Sequence, residues 1–253
     1  MTSLAAVQQG DVAFQARLYE DPNPTRRGLH SVRRDWVLGE ALGASAPGDS
    51  VLEVGVGCGV FTRALSAAGR TVTAVDINPA FLDNVAGLPN VTVRRADATK
   101  PLGLGRHDLA ICSEVLEHVD PSASEALLRS LFDGLRPGGT LVLSTPQSFS
   151  SVEFMARLFR FRPILALARR IYGTADELGH INLLTAGQLS RQIRATGFEV
   201  VRVDRFGFYL PVVAEFGGAA GAGFLRAAGK ALGKIPVLRG LLWTQAWVLR
   251  RPQ

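Results

Sequence analysis

Residues 51–59, VLEVGVGCG, constrain the fold more than any other stretch. An apolar run passes without a break into Gly55, Gly57 and Gly59, and FTRALSAAG follows with helix spacing. A strand that turns through glycines into a helix is the opening unit of a parallel sheet. Bare backbone at the carboxyl end of its first strand lets a ligand lie against main-chain amides. The dinucleotide fingerprint wants a third glycine where this chain has Val60, so the pattern is GxGxG. Asp76, at the end of TVTAVD, has a carboxylate able to accept both hydroxyls of a ribose. Nicotinamide enzymes also use an acid about 20 residues downstream, so Asp76 points to a nucleoside without naming it. An aspartate there can equally be the cap of a helix starting at INPAF.

The rest of the chain repeats the strand–helix alternation that a parallel sheet needs. SVLEVG (50–55), TVTAVD (71–76), VTVRRAD (91–97), DLAICS (108–113) and TLVLSTP (140–146) read as strands. FTRALSAAG, PAFLDNVAGL and PSASEALLRSLFDGL lie between them with helix spacing, and Gly69, Gly87 and Gly134 stand at or near their ends. TAGQLSRQIRATG (185–197) reads as a helix, FEVVRVDRF (198–206) as a strand, and LLWTQAWVLRR (241–251) as a final strand antiparallel to it.

Composition narrows the setting. Two cysteines, Cys58 and Cys112, make no disulfide framework, and no Cys/His cluster has zinc spacing. The N-terminal residues lack the basic flank and apolar run of a signal peptide, so a cytoplasmic setting is expected. Residues 1–150 hold 13 Lys or Arg against 16 Asp or Glu; residues 151–253 hold 15 against 6. Any basic partner surface therefore belongs to the C-terminal part, where peripheral contact with an anionic membrane is the reading set beside plain solvated charge. GFYLPVVAEFGGAAGAGFL has nearly the length of a membrane span, but Pro211, Glu215 and its glycines argue for a cover or a packed helix instead.

Taken in order, VLEVGVGCG, VDINP, RADAT, DLAICSEVLEHV and LRPGGTLVLSTP resemble the successive motifs of the class I S-adenosylmethionine-dependent methyltransferases, over roughly residues 45–205. The resemblance is to the quinone-biosynthesis O-methyltransferase type in particular. It implies a doubly wound, Rossmann-like α/β fold with a seven-stranded mixed sheet and helical lid insertions. It also implies S-adenosylmethionine as cofactor. Carried over by position, Glu53 organises the methionine end, Gly55, Gly57 and Gly59 give backbone access, and Asp76 holds the ribose. Ile77 packs on the adenine, Asp97 with the Ala98 amide reads its edge, and Ser113, at the fourth strand's tip, completes the expected cofactor-binding set.

The segment after that strand admits three readings. If it is a helical turn, Glu114, Glu117 and His118 share one face at i, i+3 and i+4. In the first reading His118 is a general base oriented by Glu114 or its neighbour. In the second, the resemblance implies a divalent cation such as Mg2+ held by Glu114, Glu117, His118 and His180. In the third the turn is structural. His30 and His107 have no matched partner in the sequence and receive no role.

The expected organisation is an N-terminal helical cover (1–44), a cofactor-binding core (45–206) with a lid insertion at 147–184, and a second cover with the last strand (207–253). Tyr19, Arg26, Arg27, Arg33 and Arg34 are candidate substrate contacts in the first cover. Phe149, Phe154, Met155, Phe159, Phe161 and Tyr172 in the lid are candidates to line an apolar acceptor pocket, interleaved with Arg157, Arg160, Arg162, Arg169 and Arg170. The favoured function is O-methylation of a hydrophobic small molecule or lipid-like acceptor. The alternatives are metal-dependent 2′-O-methylation of RNA, which no RNA-binding module accompanies, and a cofactor-binding protein without turnover. The sequence sets no oligomeric state.

Overall fold

Parallel strands need crossovers, and the computed structural model, which describes residues 12–158 and 181–253, supplies them where the sequence alternates. The strands are β1 (Ser50–Val54), β2 (Thr71–Asp76), β3 (Val91–Arg95), β4 (His107–Ser113), β5 (Leu135–Pro146), β6 (Glu199–Phe206) and β7 (Thr244–Arg250). They form one seven-stranded sheet in the order β3-β2-β1-β4-β5-β7-β6. The first five are parallel, and β7 enters antiparallel between β5 and β6. This is the doubly wound, Rossmann-like mixed sheet expected from the motifs.

The pleat sends alternate residues of each strand to opposite faces, and each face carries its own core. Leu52, Val54, Ala110, Cys112, Leu141 and Leu143 join the Ser124–Asp133 and Ala186–Thr196 helices on one side. Val51, Val72, Ala74, Leu109, Ile111 and Val142 join the Pro24–Gly43 and Val60–Ala67 helices on the other. The Ala186–Thr196 helix opens with a reciprocal Thr185–Gln188 capping box and ends at Gly197 in the left-handed region.

Three local expectations are corrected. The helix over PAFLDNVAGL spans only Pro79–Asp83, because Asn78, accepting from the Ala80 amide, starts it and the chain then turns toward Gly87 at φ +83°. β5 begins earlier than residue 140, since Leu135 already pairs with His107 across a bulge. Glu114 stands outside any helical turn at φ +57°, so only Leu116–His118 make a 3-10 turn and the shared Glu114–Glu117–His118 face does not form.

The Pro24–Gly43 helix is capped by Asn23, whose side chain accepts from the Thr25 and Arg26 amides at 2.9 and 3.1 Å. The stripe His30, Arg33, Val37 and Ala41 runs along one side of it; Arg33, Val37 and Ala41 are buried. Trp36 ties this helix to β6 through a 2.9 Å bond from Nε1 to Asp204. The second cover docks on its start. Asn23 Nδ2 donates to the Ala214 carbonyl at 2.9 Å, and Arg26 pairs with Glu215 at 3.1 Å.

The apolar stretch at 207–225 is divided between the Pro211–Phe216 and Gly218–Lys234 helices, and no described helix is long and apolar enough to cross a membrane. Of the lid insertion, Phe149 and Phe154 are exposed around the start of the Ser151–Leu158 helix. Only the backbone of Met155 and Arg157 is described. Phe159, Arg160, Phe161, Arg162, Arg169, Arg170, Tyr172 and His180 lie outside the described residues.

Candidate active site

The carboxyl ends of β1, β2, β4 and β5 meet at one edge of the sheet, where folds of this type hold their ligands. Gly55, Gly57 and Gly59 all have positive φ, +85°, +52° and +77°. A Cβ on Gly55 would lie 2.1 Å from Val115 Cγ2 and one on Gly59 2.4 Å from Val85 Cγ1, while at Gly57 the neighbour, 2.3 Å away, is the movable tip of Gln15, Oε1. Gln15, from a helical stretch at 12–18, accepts from the Cys58 amide at 3.0 Å, so the first cover reaches onto the glycine turn.

Asp76 is not a helix cap, a role that Asn78 takes. One Asp76 oxygen accepts from the Val56 amide and the other from the Asn78 amide, both at 2.8 Å. The carboxylate thus braces the glycine turn against the β2 tip and keeps further lone pairs for a ligand. Beside it Ile77 leaves an apolar side chain 65% exposed.

Glu53 follows from the pleat: it shares a face of β1 with Val51 and so meets the Val60–Ala67 helix, whose Thr62 hydroxyl donates to Oε2 at 2.6 Å. The residue is fully buried, and Oε1 has no partner among the described residues. Burial pushes this carboxyl up to about 8; the Thr62 bond opposes the rise and the charge of Asp76 adds to it. A buried acid with one orphaned oxygen next to a turn that admits no side chain fits an ammonium-bearing ligand such as the methionine end of S-adenosylmethionine.

Across the edge, Asp97 accepts from the Thr99 amide and hydroxyl at 3.0 and 2.6 Å, which holds its carboxyl below the usual value. Ala98 packs against the core beneath. Ser113 and Ser144, neighbours on β4 and β5, share a 2.8 Å hydroxyl contact. Glu114 receives the Ser144 hydroxyl at 3.2 Å on one oxygen and Arg33 at 2.9 Å on the other. Arg33 and Glu114 are respectively 8% and 17% exposed in their side chains, so this is a nearly buried ion pair.

Glu117 points elsewhere. It is fully buried against Thr145, which donates at 2.9 Å, and its carbonyl takes the Ile181 and Asn182 amides. Burial, then the nearby Glu114, raises its carboxyl well above the ordinary range. His118 is exposed on the same turn. Glu114 is engaged by a guanidinium and a hydroxyl, no three His, Cys, Asp or Glu side chains among the described residues gather into a metal-holding group, and His180, the fourth expected ligand, lies outside the described residues.

Sequence reasoning missed Gln15, His30 and Trp243 as residues of this edge, because their partners lie up to 213 residues away. His30 stands edge-on to Tyr19 and to Trp243, at ring separations of 6.3 and 5.5 Å.

The methyltransferase domain family matches residues 29–203, more than half of the chain. The chain belongs to that family. A ubiquinone biosynthesis O-methyltransferase of Xanthomonas campestris pv. campestris is 35% identical over 159 residues, covering 55% of this chain and 62% of that protein, just under two thirds of its length. The enzyme of the same name from Aromatoleum aromaticum is 30% identical over 187 residues, covering 69% and 73%. Among solved structures, the N-methyltransferase NodS of Bradyrhizobium japonicum, in complex with S-adenosyl-L-homocysteine, shares the fold at a TM-score of 0.61 and 17% identity, over 98% of this chain and 97% of NodS. Relatives and neighbour differ in acceptor atom, so the shared fold does not choose between oxygen and nitrogen.

Proposed function

We propose that this methyltransferase transfers the methyl group of S-adenosylmethionine to an oxygen of a hydrophobic small-molecule or lipid-like acceptor. The sequence likeness to relatives named as ubiquinone biosynthesis O-methyltransferases carries the oxygen assignment. When bound, S-adenosylmethionine supplies a methyl group already activated on a sulfonium, so the chain's own residues chiefly align and manage a proton.

In this reading Glu53 holds the ammonium of the methionine end with the orphaned Oε1. Gly55, Gly57 and Gly59 leave the main chain open to the cofactor. Asp76 accepts from the ribose hydroxyls, Ile77 lies against the adenine, and Asp97 with the Ala98 amide faces its edge. Ser113 and Glu114 form the floor where the acceptor oxygen lies. Glu114 keeps that floor fixed through Arg33 and Ser144, and His118, on the turn above, takes the acceptor's proton. No divalent cation enters the proposal.

The exposed Val212, Phe216 and Val237, with the exposed Arg226, Lys230 and Lys234 of the same cover, are the residues proposed to touch an anionic lipid surface. Sedimentation with phosphatidylglycerol vesicles, but not with phosphatidylcholine vesicles, is the expected result. Incubation with methyl-tritiated S-adenosylmethionine and a mixture of phenolic, enolic and amine acceptors tests the main reading. Label is expected in methyl ethers, and label recovered only on nitrogen or carbon overturns it.

A further inference from the structure

The Pro24–Gly43 helix brings His30 and Arg33 to the strand tips on one face, three residues apart. Trp243, just ahead of β7, closes the same corner. Its backbone amide donates to the Gly207 carbonyl at 2.7 Å, and its carbonyl accepts from the Gln147 amide at 2.9 Å. The His30 ring thus sits between the edges of Tyr19 and Trp243, and Arg33 lies 6.0 Å from the centre of the Trp243 ring.

The protons in this corner are set by chemistry. Arg33 Nη2 lies 3.4 Å from His30 Nδ1, and a guanidinium only donates, so Nδ1 must carry the lone pair and Nε2 the proton. Burial, then the charge of Arg33, holds the imidazole down to about 3, so the neutral ring persists through the working range. His30 Nε2 has no protein partner among the described residues, and Trp243 Nε1 and Arg33 Nε are buried without one. Both Glu114 oxygens are already engaged, by Arg33 Nη1 and by the Ser144 hydroxyl. The corner therefore holds three N–H groups that meet no acceptor among the described residues, a place that an oxygen of a ligand fills. Arg33 is already neutralised by Glu114, which favours a polar oxygen over a full anion, and the ring edges favour a planar body.

We propose that His30, Trp243 and Arg33 form a donor recess that receives an oxygen of a planar, phenol-type methyl acceptor. This deepens the reading of the enzyme as an O-methyltransferase and rests on it. His30 is an acceptor-binding residue here: it donates Nε2–H and moves no proton.

The test uses the full chain saturated with S-adenosylhomocysteine and titrated with 4-nitrophenol, followed by quenching of tryptophan fluorescence and by phenol absorption. His30→Ala is expected to weaken 4-nitrophenol binding on the order of tenfold while leaving S-adenosylhomocysteine affinity within about twofold. His30→Gln, which restores an N–H, is expected to recover roughly threefold of that loss, and Trp243→Phe, which keeps a ring without the donor, to lose roughly threefold. Unchanged 4-nitrophenol binding by His30→Ala overturns the proposal. So does an equal loss of S-adenosylhomocysteine affinity, which would make the recess part of the cofactor site, and so does failure of the wild type to bind 4-nitrophenol. The broader reading fails separately, by methyl label on nitrogen or carbon from a protein that still binds S-adenosylhomocysteine.

Discussion

The two halves of the sheet's ligand-bearing edge are built in opposite ways. On the half proposed for the cofactor, the β1 turn and the β2 tip draw Glu53, Gly55, Gly57, Asp76 and Ile77 from 25 consecutive residues, each placed by its own strand or turn. On the half proposed for the acceptor, Tyr19, His30, Arg33, Glu114 and Trp243 come from both covers and the end of β4, and meet only when the sheet is complete. The first half depends on backbone conformation, the second on a buried ion pair and edge-on rings. Conformation is local and robust to what surrounds it; a desolvated charge pair is only as good as its partner.

Glu114→Gln strikes that difference hardest. It leaves the guanidinium of Arg33 nearly buried without its carboxylate, and a loss of about 3 kcal/mol in unfolding free energy is expected from urea titration. Retained stability would mean that the acceptor half does not rest on this pair. Asp76→Ala comes next. It removes the brace between Val56 and Asn78 together with the proposed ribose contact, and calorimetry should show S-adenosylhomocysteine bound on the order of 100-fold more weakly. 4-Nitrophenol binding measured on the same variant should hold if the halves are independent.

The glycine turn meets the segment after β4 where Gly55 lies under Val115. Gly55→Ala combines a positive φ with a Cβ 2.1 Å from Val115 Cγ2, and a cost of about 2 kcal/mol is expected. Gly55→Ala with Val115→Ala should regain only the part due to the clash. Thermal unfolding of the two variants separates strain from crowding.

Glu53 yields a subtler measurement. The folded carboxyl keeps its proton up to about pH 8, while the unfolded one loses it near 4.5, so the folded state binds the extra proton and stability falls as pH rises through that window. Glu53→Gln should flatten that fall. An ammonium placed at Oε1 lowers the carboxyl again, so binding of S-adenosylhomocysteine at pH 7 should release close to one proton. Calorimetry in buffers of different ionisation enthalpy detects it; no release would remove Glu53 from the cofactor half. The smallest effect is expected from a chelator, which should change turnover by less than about twofold given the engaged Glu114. Chelator-sensitive turnover would assign Glu114 a second ligand role.

How much of this was legible in the chain follows the same division. β1 to β4, the glycine turn and Asp76 lie close to their sequence-derived places because each depends on neighbours in sequence. The helix after Asn78 was read too long, since LDNVAG keeps helix-like spacing after the hydrogen-bonded helix has stopped. The Glu114–Glu117–His118 face failed for a different reason: periodicity cannot reveal a glutamate at φ +57°, a conformation imposed by its bond to the Ser144 carbonyl and its pairing with Arg33. His30 looked idle because Trp243 is 213 residues away and nothing in either local stretch refers to the other.

The place of β7 has a consequence for how the enzyme is made. A ribosome delivers β6 before β7, yet β6 pairs with no strand except β7, and β5 is bare along that side until the same strand arrives. The nascent chain must therefore carry an unmatched ribbon and an open seam through some 37 residues of further synthesis. Chaperone capture, or trapping by a second molecule's strand, would be concentrated in that interval.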